Sequence, residues 1–235
     1  MSLQRTVIDQ MECLTLTRPS AKKTVIMLHG FGADMNDLGP LHSYLDPSGR
    51  YNWIFPNGIR EVPIGPHMTG RAWFPIRMAD IEAAAMRGEV VDFSDVFPDG
   101  MEEAERRLKS LIAHLRLEAS DLILGGFSQG AMMTCQVALT LPKDICGMIL
   151  FSATCINRQR WEELAPSHKA IPFIQSHGKD DPILGFKQAE RLHGLLTKAG
   201  LNGRFIPFNG FHEIPMPVIR EAALFLNNLG THDQT

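Results

Sequence analysis

The chain is poor in cysteine. It has four in 235 residues, Cys13, Cys135, Cys146 and Cys155, and no two of them form a C-x-x-C pair. Two fall within stretches predicted as buried helix or strand, where a free thiol behaves as a small hydrophobe. With no sign of a disulfide framework, a reduced, cytoplasmic protein is the expectation. Charge of one sign is also lacking. The formal net charge of -3 gives no electrostatic reason to expect nucleic acid or an anionic membrane as partner. No apolar run approaches membrane-spanning length, and no charged segment followed by a short apolar one opens the chain. Neither stable membrane insertion nor a secretory leader is therefore expected. Internal repeats, low-complexity tracts and an interdomain linker are absent too. What remains is 44% hydrophobic and 21% charged, with enough length for one α/β domain over residues 1–235 and a large core.

The most informative stretch is Gly125-Gly126-Phe127-Ser128-Gln129-Gly130. Asp121 to Leu124 before it reads as a buried strand, and Ala131 to Leu139 after it as a helix without Gly or Pro. Gly126-x-Ser128-x-Gly130 thus sits at a strand-to-helix joint, the context a G-x-S-x-G nucleophile elbow requires. A serine at such a turn is forced into a strained backbone conformation, and flanking glycines remove the Cβ atoms that would clash. The following helix then points its amide end at any developing oxyanion.

Strands and helices alternate along the rest of the chain. Met11 to Thr17 reads as an edge strand, and Thr24 to Leu28 as a buried one running into His29-Gly30-Phe31-Gly32. A strand followed by H-G-x-G resembles the loop that supplies a second oxyanion donor in α/β-hydrolases. The donors would be the amides of Phe31 and Gln129, with His29 a structural loop residue. Asp37 to Leu45 is predicted as a helix and Tyr51 to Pro56 as a strand. Residues 57–98 form a long, lid-like connection that contains Pro63, Pro66, Pro75 and many apolar side chains, with a short helix over Met78 to Met86. Asp99 to Leu117 is strongly amphipathic. Beyond the elbow helix come strands at Ile145–Phe151, Ile171–His177 and Arg204–Phe208, with a variable region around Trp161. Helices follow at Gly185–Lys198 and Pro215–Leu229. This order implies a doubly wound, mostly parallel sheet with helices on both faces.

A serine nucleophile needs a base, and the base needs an orienting carboxylate. Of nine histidines, His212 best fits the base, because it follows the last strand and precedes the last helix, at the sheet edge where reactive groups gather. His42, His114 and His193 fall in helices, His67 and His168 in other loops, and His232 in the tail. His177 ends a strand but precedes the acid. The acid should come from His177-Gly178-Lys179-Asp180-Asp181-Pro182, which offers two adjacent carboxylates. The order Ser128, Asp181, His212 is that of the α/β-hydrolases.

Five motifs in succession, L-H-G-x-G-A-D, R-A-W-F, G-G-F-S-Q-G-A, H-G-x-x-D-P and G-x-H-E-I-P, resemble the phospholipase/carboxylesterase family that includes acyl-protein thioesterases. The resemblance runs from about Val25 to Leu229. It implies that the Asp directly before Pro, Asp181, is the catalytic acid, with Ser128 the nucleophile and His212 the base, and with oxyanion amides at Phe31 and Gln129. The stretch from Ile76 to Val96 looks longer than its counterpart in typical members, which bears on substrate rather than chemistry.

These readings converge on a serine hydrolase of carboxylic esters or thioesters, acting through an acyl-serine and needing no metal or cofactor. The expected substrate is a small-molecule or lipid acyl ester, or an acylated protein. Trp73, Phe74, Met78 and Met86 are the candidate acyl-binding side chains. An acyltransferase using the same acyl-serine and a non-catalytic ligand-binding module are the alternatives. Acyl length, leaving group and assembly, including a homodimer, are not fixed by the sequence.

Overall fold

Short apolar runs separated by helix-forming stretches build an eight-stranded sheet in the computed structural model, which describes residues 2–231. The strands of the chain are β1 (Gln4–Ile8), β2 (Met11–Leu16), β3 (Lys23–Leu28), β4 (Tyr51–Pro56), β5 (Arg60–Gly65), β6 (Met68–Ala72), β7 (Leu122–Phe127), β8 (Gly147–Phe151), β9 (Phe173–Gly178) and β10 (Gly203–Phe208). The helices are α1 (Leu41–Leu45), α2 (Met78–Met86), α3 (Met101–Leu115), α4 (Gln129–Thr140), α5 (Arg158–Leu164), α6 (Phe186–Lys198) and α7 (Met216–Thr231). The large sheet runs in the order β1-β2-β4-β3-β7-β8-β9-β10, while β5 and β6 form a separate hairpin. All pairings from β4 to β10 are parallel, and β1 and β2 are antiparallel additions at one edge. The mostly parallel, doubly wound α/β architecture is the one the element order predicts.

Strand periodicity sets the two apolar layers. On β3, Ile26 and Leu28 join the layer under α3, α4, α5 and α6, while Val25 and Met27 join the layer under α1 and α7. Trp53, Trp73 and Trp161 are fully buried. Burial of each such ring contributes on the order of 2–3 kcal/mol. Of the four free cysteines, Cys13, Cys135 and Cys155 are buried, and burial pushes all three thiols up, Cys13 to about 12. None of these three is poised as a nucleophile.

Three departures from the sequence reading have local causes. Met11–Leu16 is not an edge strand, because β1 pairs with it on the outside. The turn between them is Asp9-Gln10, both at positive φ (46° and 64°). This is the primed hairpin geometry, built here without the glycine that would have announced it. The helix expected from Asp37 shortens to Leu41–Leu45, since Pro40 stands at its N-cap. The connection after Asn57 contains the β5–β6 hairpin; Pro63 is tolerated there because a two-stranded ribbon has only edges, and the register shifts beside it. Helix α2, by contrast, has the predicted bounds. His232 lies outside the described residues.

Candidate active site

The sheet delivers the site from the carboxyl ends of β3, β7, β9 and β10, with β8 between β7 and β9. At the end of β7, Ser128 adopts φ 55° and ψ −119°, a strained conformation for a residue with a Cβ. Its amide donates to the Phe151 carbonyl of β8 at 2.9 Å, which fixes the turn. The helix that follows is drawn tight against β3, and only glycine fits at position 130. A Cβ there would stand 2.0 Å from the Leu28 carbonyl oxygen. The G-x-S-x-G spacing is thus the packing requirement of this joint.

Ser128 Oγ donates to His212 Nε2 at 2.9 Å, and His212 Nδ1 donates to Asp181 Oδ2 at 2.7 Å. The structure brings together all three residues that the sequence nominated for the triad. His212 sits between β10 and α7, with its ring tilted against Phe127 at a centroid distance of 4.8 Å. Asp181 lies in the loop after β9. The two loops nest backbone to backbone at Gly178, where a Cβ would fall 2.1 Å from the Phe211 carbonyl oxygen, and the Asp180 amide donates to Gly210 O at 3.0 Å. Of the adjacent acids, Asp181 is buried and Asp180 is exposed. Burial alone would raise the Asp181 carboxyl, but hydrogen bonds from His177, His212 and the Leu184 amide outweigh it and hold the group well below the usual carboxylate range.

The loop after β3 runs beside Ser128. A Cβ on Gly30 would lie 3.5 Å from the Ser128 Cβ. Neither the Phe31 amide nor the Gln129 amide has an acceptor among the described residues, as suits donors held for a substrate oxygen. The loop is fastened to the hairpin through Gly32 N to Arg71 O at 2.9 Å and Arg71 N to Ala33 O at 2.7 Å.

His29 has the structural place expected of it. It is buried, its Nδ1 donates to Gly30 O at 2.7 Å, and its Nε2 accepts from the Gly58 amide at 2.9 Å. Burial lowers its pKa to about 4. Between that value and the ordinary 6.5, the unfolded chain binds a proton that the folded chain refuses. Stability is therefore undiminished above about pH 6.5 and falls as pH drops toward 4, by about 3 kcal/mol for this residue. Equilibrium unfolding at pH 7 and pH 4.5 should show a smaller loss in His29→Gln than in the native chain. Equal losses would refute the assignment.

The acyl-binding expectations fare unevenly. A cavity of about 360 Å³, within the range of small-ligand pockets, is walled by Phe74, Ile76, Ile81, Val91, Phe93, Val96, Met132 and Ile156, with Arg77, Asp80 and Asp99 also on its lining. Phe74 is the one of the four nominated side chains on that wall. Trp73 is fully buried beneath the site, its indole donating to His29 O at 2.9 Å, so it is scaffold rather than substrate contact. Met86, at 88% exposure, projects into solvent from the last turn of α2, and Met78 at the first turn is half-buried away from the cavity. The apolar face of α2 is instead Ile81 and Ala84. Ser128 does not line the cavity; Met132, one helical turn beyond it on α4, does.

Sequence reasoning missed the side chain of Gln129. Its Oε1 accepts from the Trp73 amide at 2.9 Å and its Nε2 donates to Phe74 O at 2.7 Å, which clamps the R-A-W-F strand against the elbow. The adjacency of two motifs 55 residues apart was its only trace. His177, the other histidine at a strand end, does not reach Ser128 but stands behind the acid. It is buried, and its Nε2 lies 3.2 Å from Asp181 Oδ2.

The family model for phospholipase/carboxylesterase matches residues 12–229. Acyl-protein thioesterase 1 of Mycosarcoma maydis is 25% identical over 224 residues, covering 90% of this chain and 92% of that one. Acyl-protein thioesterase 1 of Saccharomyces cerevisiae is 30% identical over 175 residues, covering 70% and 72% respectively. Among solved structures, esterase PE8 superposes with a TM-score of 0.75 at 26% identity, covering 97% of this chain and all of that one.

Proposed function

The chain belongs to the phospholipase/carboxylesterase family and is a hydrolase of the ester- and thioester-cleaving kind, and from that premise we propose that it works through an acyl-serine formed on Ser128. The observation that carries this reading is the unbroken hydrogen-bonded line from Ser128 Oγ through His212 to the buried Asp181.

In this mechanism Ser128 Oγ attacks the acyl carbonyl as His212 Nε2 takes its proton, while Asp181 holds the imidazole in the tautomer that leaves Nε2 free to accept. The Phe31 and Gln129 amides receive the charge that builds on the carbonyl oxygen. His212 then protonates the departing alcohol or thiol. Water, activated by the same imidazole, hydrolyses the acyl-serine and restores Ser128. The adjoining cavity, apolar on nearly all sides, suits the hydrocarbon part of an acyl group, with Phe74, Ile81 and Met132 as contacts. The substrate class is an acyl ester or thioester, and an acylated protein, as the relatives' names suggest, is within it.

A chain-length series of p-nitrophenyl esters and acyl thioesters tests both parts. Each methylene taken into the cavity is worth about 0.8 kcal/mol, close to fourfold in kcat/KM, until the space is full. Activity should rise from acetyl to medium chains and then level off. Ile81→Trp, which narrows the cavity, should move the peak to shorter chains. A profile that already peaks at acetyl would assign the cavity no part in acyl recognition.

A further inference from the structure

Asp181 has donors against both of its carboxylate oxygens. His212 Nδ1 donates to Oδ2 at 2.7 Å, while Oδ1 accepts the amides of Ile183 at 2.9 Å and Leu184 at 3.0 Å. A fourth donor, His177 Nε2, lies 3.2 Å from the same Oδ2 that His212 engages. His177 is fully buried at the carboxyl end of β9, a rigid element, with its ring edge-on to Phe186 at 6.3 Å. Its Nε2 donates to the Leu184 carbonyl at 2.5 Å and has Asp181 Oδ2 as a second, more distant acceptor, so the ring carries its one proton there and shares it between the two. Its Nδ1 is buried with no partner among the described residues.

We propose that His177 is a positioning residue of the triad, sharing its Nε2 proton between the Leu184 carbonyl and Asp181 Oδ2 and so holding the carboxylate in line with His212. The inference rests on the triad reading given above. Two features separate this role from space-filling. An apolar side chain of similar size would pack at this buried point without leaving a nitrogen unpaired, so the position makes use of the donor. The same N–H, anchored on the Leu184 carbonyl, also lies against the one carboxylate oxygen that the base uses, whereas Oδ1 is already satisfied by the Ile183 and Leu184 amides. Rotation of the carboxylate away from His212 would break its bonds to the Ile183 and Leu184 amides and draw Oδ2 off the shared His177 N–H.

The test is a double-mutant cycle. His177→Leu removes the donor and is expected to lower kcat about ten- to a hundredfold, with KM unchanged to within about twofold. His177→Gln, which returns an N–H near the position of Nε2, should recover most of that loss. In an Asp181→Asn background, His177→Leu should cost less than about twofold more, because the group it positions is already gone. If His177→Leu does not fold, His177→Asn, whose amide stops short of Asp181, replaces it in the same cycle. A packing role alone predicts otherwise: Leu and Gln variants equally weakened in thermal stability, and losses that multiply with Asp181→Asn. That result overturns the proposal, as does a His177→Leu enzyme with native kcat while Asp181→Asn collapses it. An Asp181→Asn enzyme with native kcat would instead bring down the triad reading itself.

Discussion

Ser128→Ala is expected to lower kcat by a factor of about 10⁵–10⁶ while leaving the fold intact. The substitution removes one oxygen and no core volume. The amide bond from Ser128 to Phe151 O, which sets the turn, is retained. The backbone at φ 55° is strained for alanine as it is for serine, so no new cost arises. The melting temperature should therefore move by only about 1–2 °C. The chemistry, by contrast, loses its only nucleophile. What activity persists would come from the Phe31 and Gln129 amides and from substrate positioning. A fluorophosphonate probe should label the native enzyme at Ser128 alone and leave the alanine variant unlabelled. Buried hydroxyls elsewhere, such as Ser152 just after β8 and Ser176 within β9, provide the internal control. Labelling at either would mean that the elbow has been misidentified.

How legible this site was follows from the range of the interactions that build it. Ser128 could be found because its constraint is local: the strand before it, the helix after it and the glycines between them lie within a dozen residues. His212 and the Asp180-Asp181 pair could be found because a parallel sheet gathers its loops at one edge, so that strand order brings distant loops together, while the choice of Asp181 within the pair came from the family resemblance alone. The strand Tyr51–Pro56 and the helix Met78–Met86 were readable for similar local reasons. What failed needed knowledge of which side of an element faces inward. Trp73 and Met86 stood in the same apolar list, yet one is fully buried and the other 88% exposed. An Ala-rich helix such as α2 carries too weak a pattern to show which of its ends is wet. Strand β1 was missed because Gln4-Arg5-Thr6-Val7-Ile8 is exposed along nearly its whole length and offers no alternation. The Gln129 clamp and the His177 contact are long-range side-chain bonds, and periodicity carries no information about those.

The second large effect separates the neighbouring acids. Asp181→Asn is expected to reduce kcat by roughly 10⁴, through loss of the tautomer that leaves His212 Nε2 free to accept the Ser128 proton. An amide nitrogen placed at Oδ2 would face the His212 N–H donor to donor, and the ring would turn or shift its proton to escape. The fold around Asp181 adds to the effect. Its oxygens receive donors from Ile183, Leu184, His177 and His212, so an amide can satisfy that set in no orientation without opposing at least one N–H. Asp180→Asn should stay within a few-fold of the native rate, because that side chain is exposed and its backbone amide alone ties the loop, to Gly210 O at 3.0 Å. Stability gives a second readout for Asp181. A carboxyl held below its unfolded value contributes stability that is present above about pH 4 and lost as pH falls through the folded value. Asp181→Asn should therefore flatten the acid limb of stability below about pH 4. The measurement is kcat for both variants beside unfolding curves at pH 7 and pH 3. Equal kcat losses at the two positions would assign the orienting role to the pair rather than to Asp181.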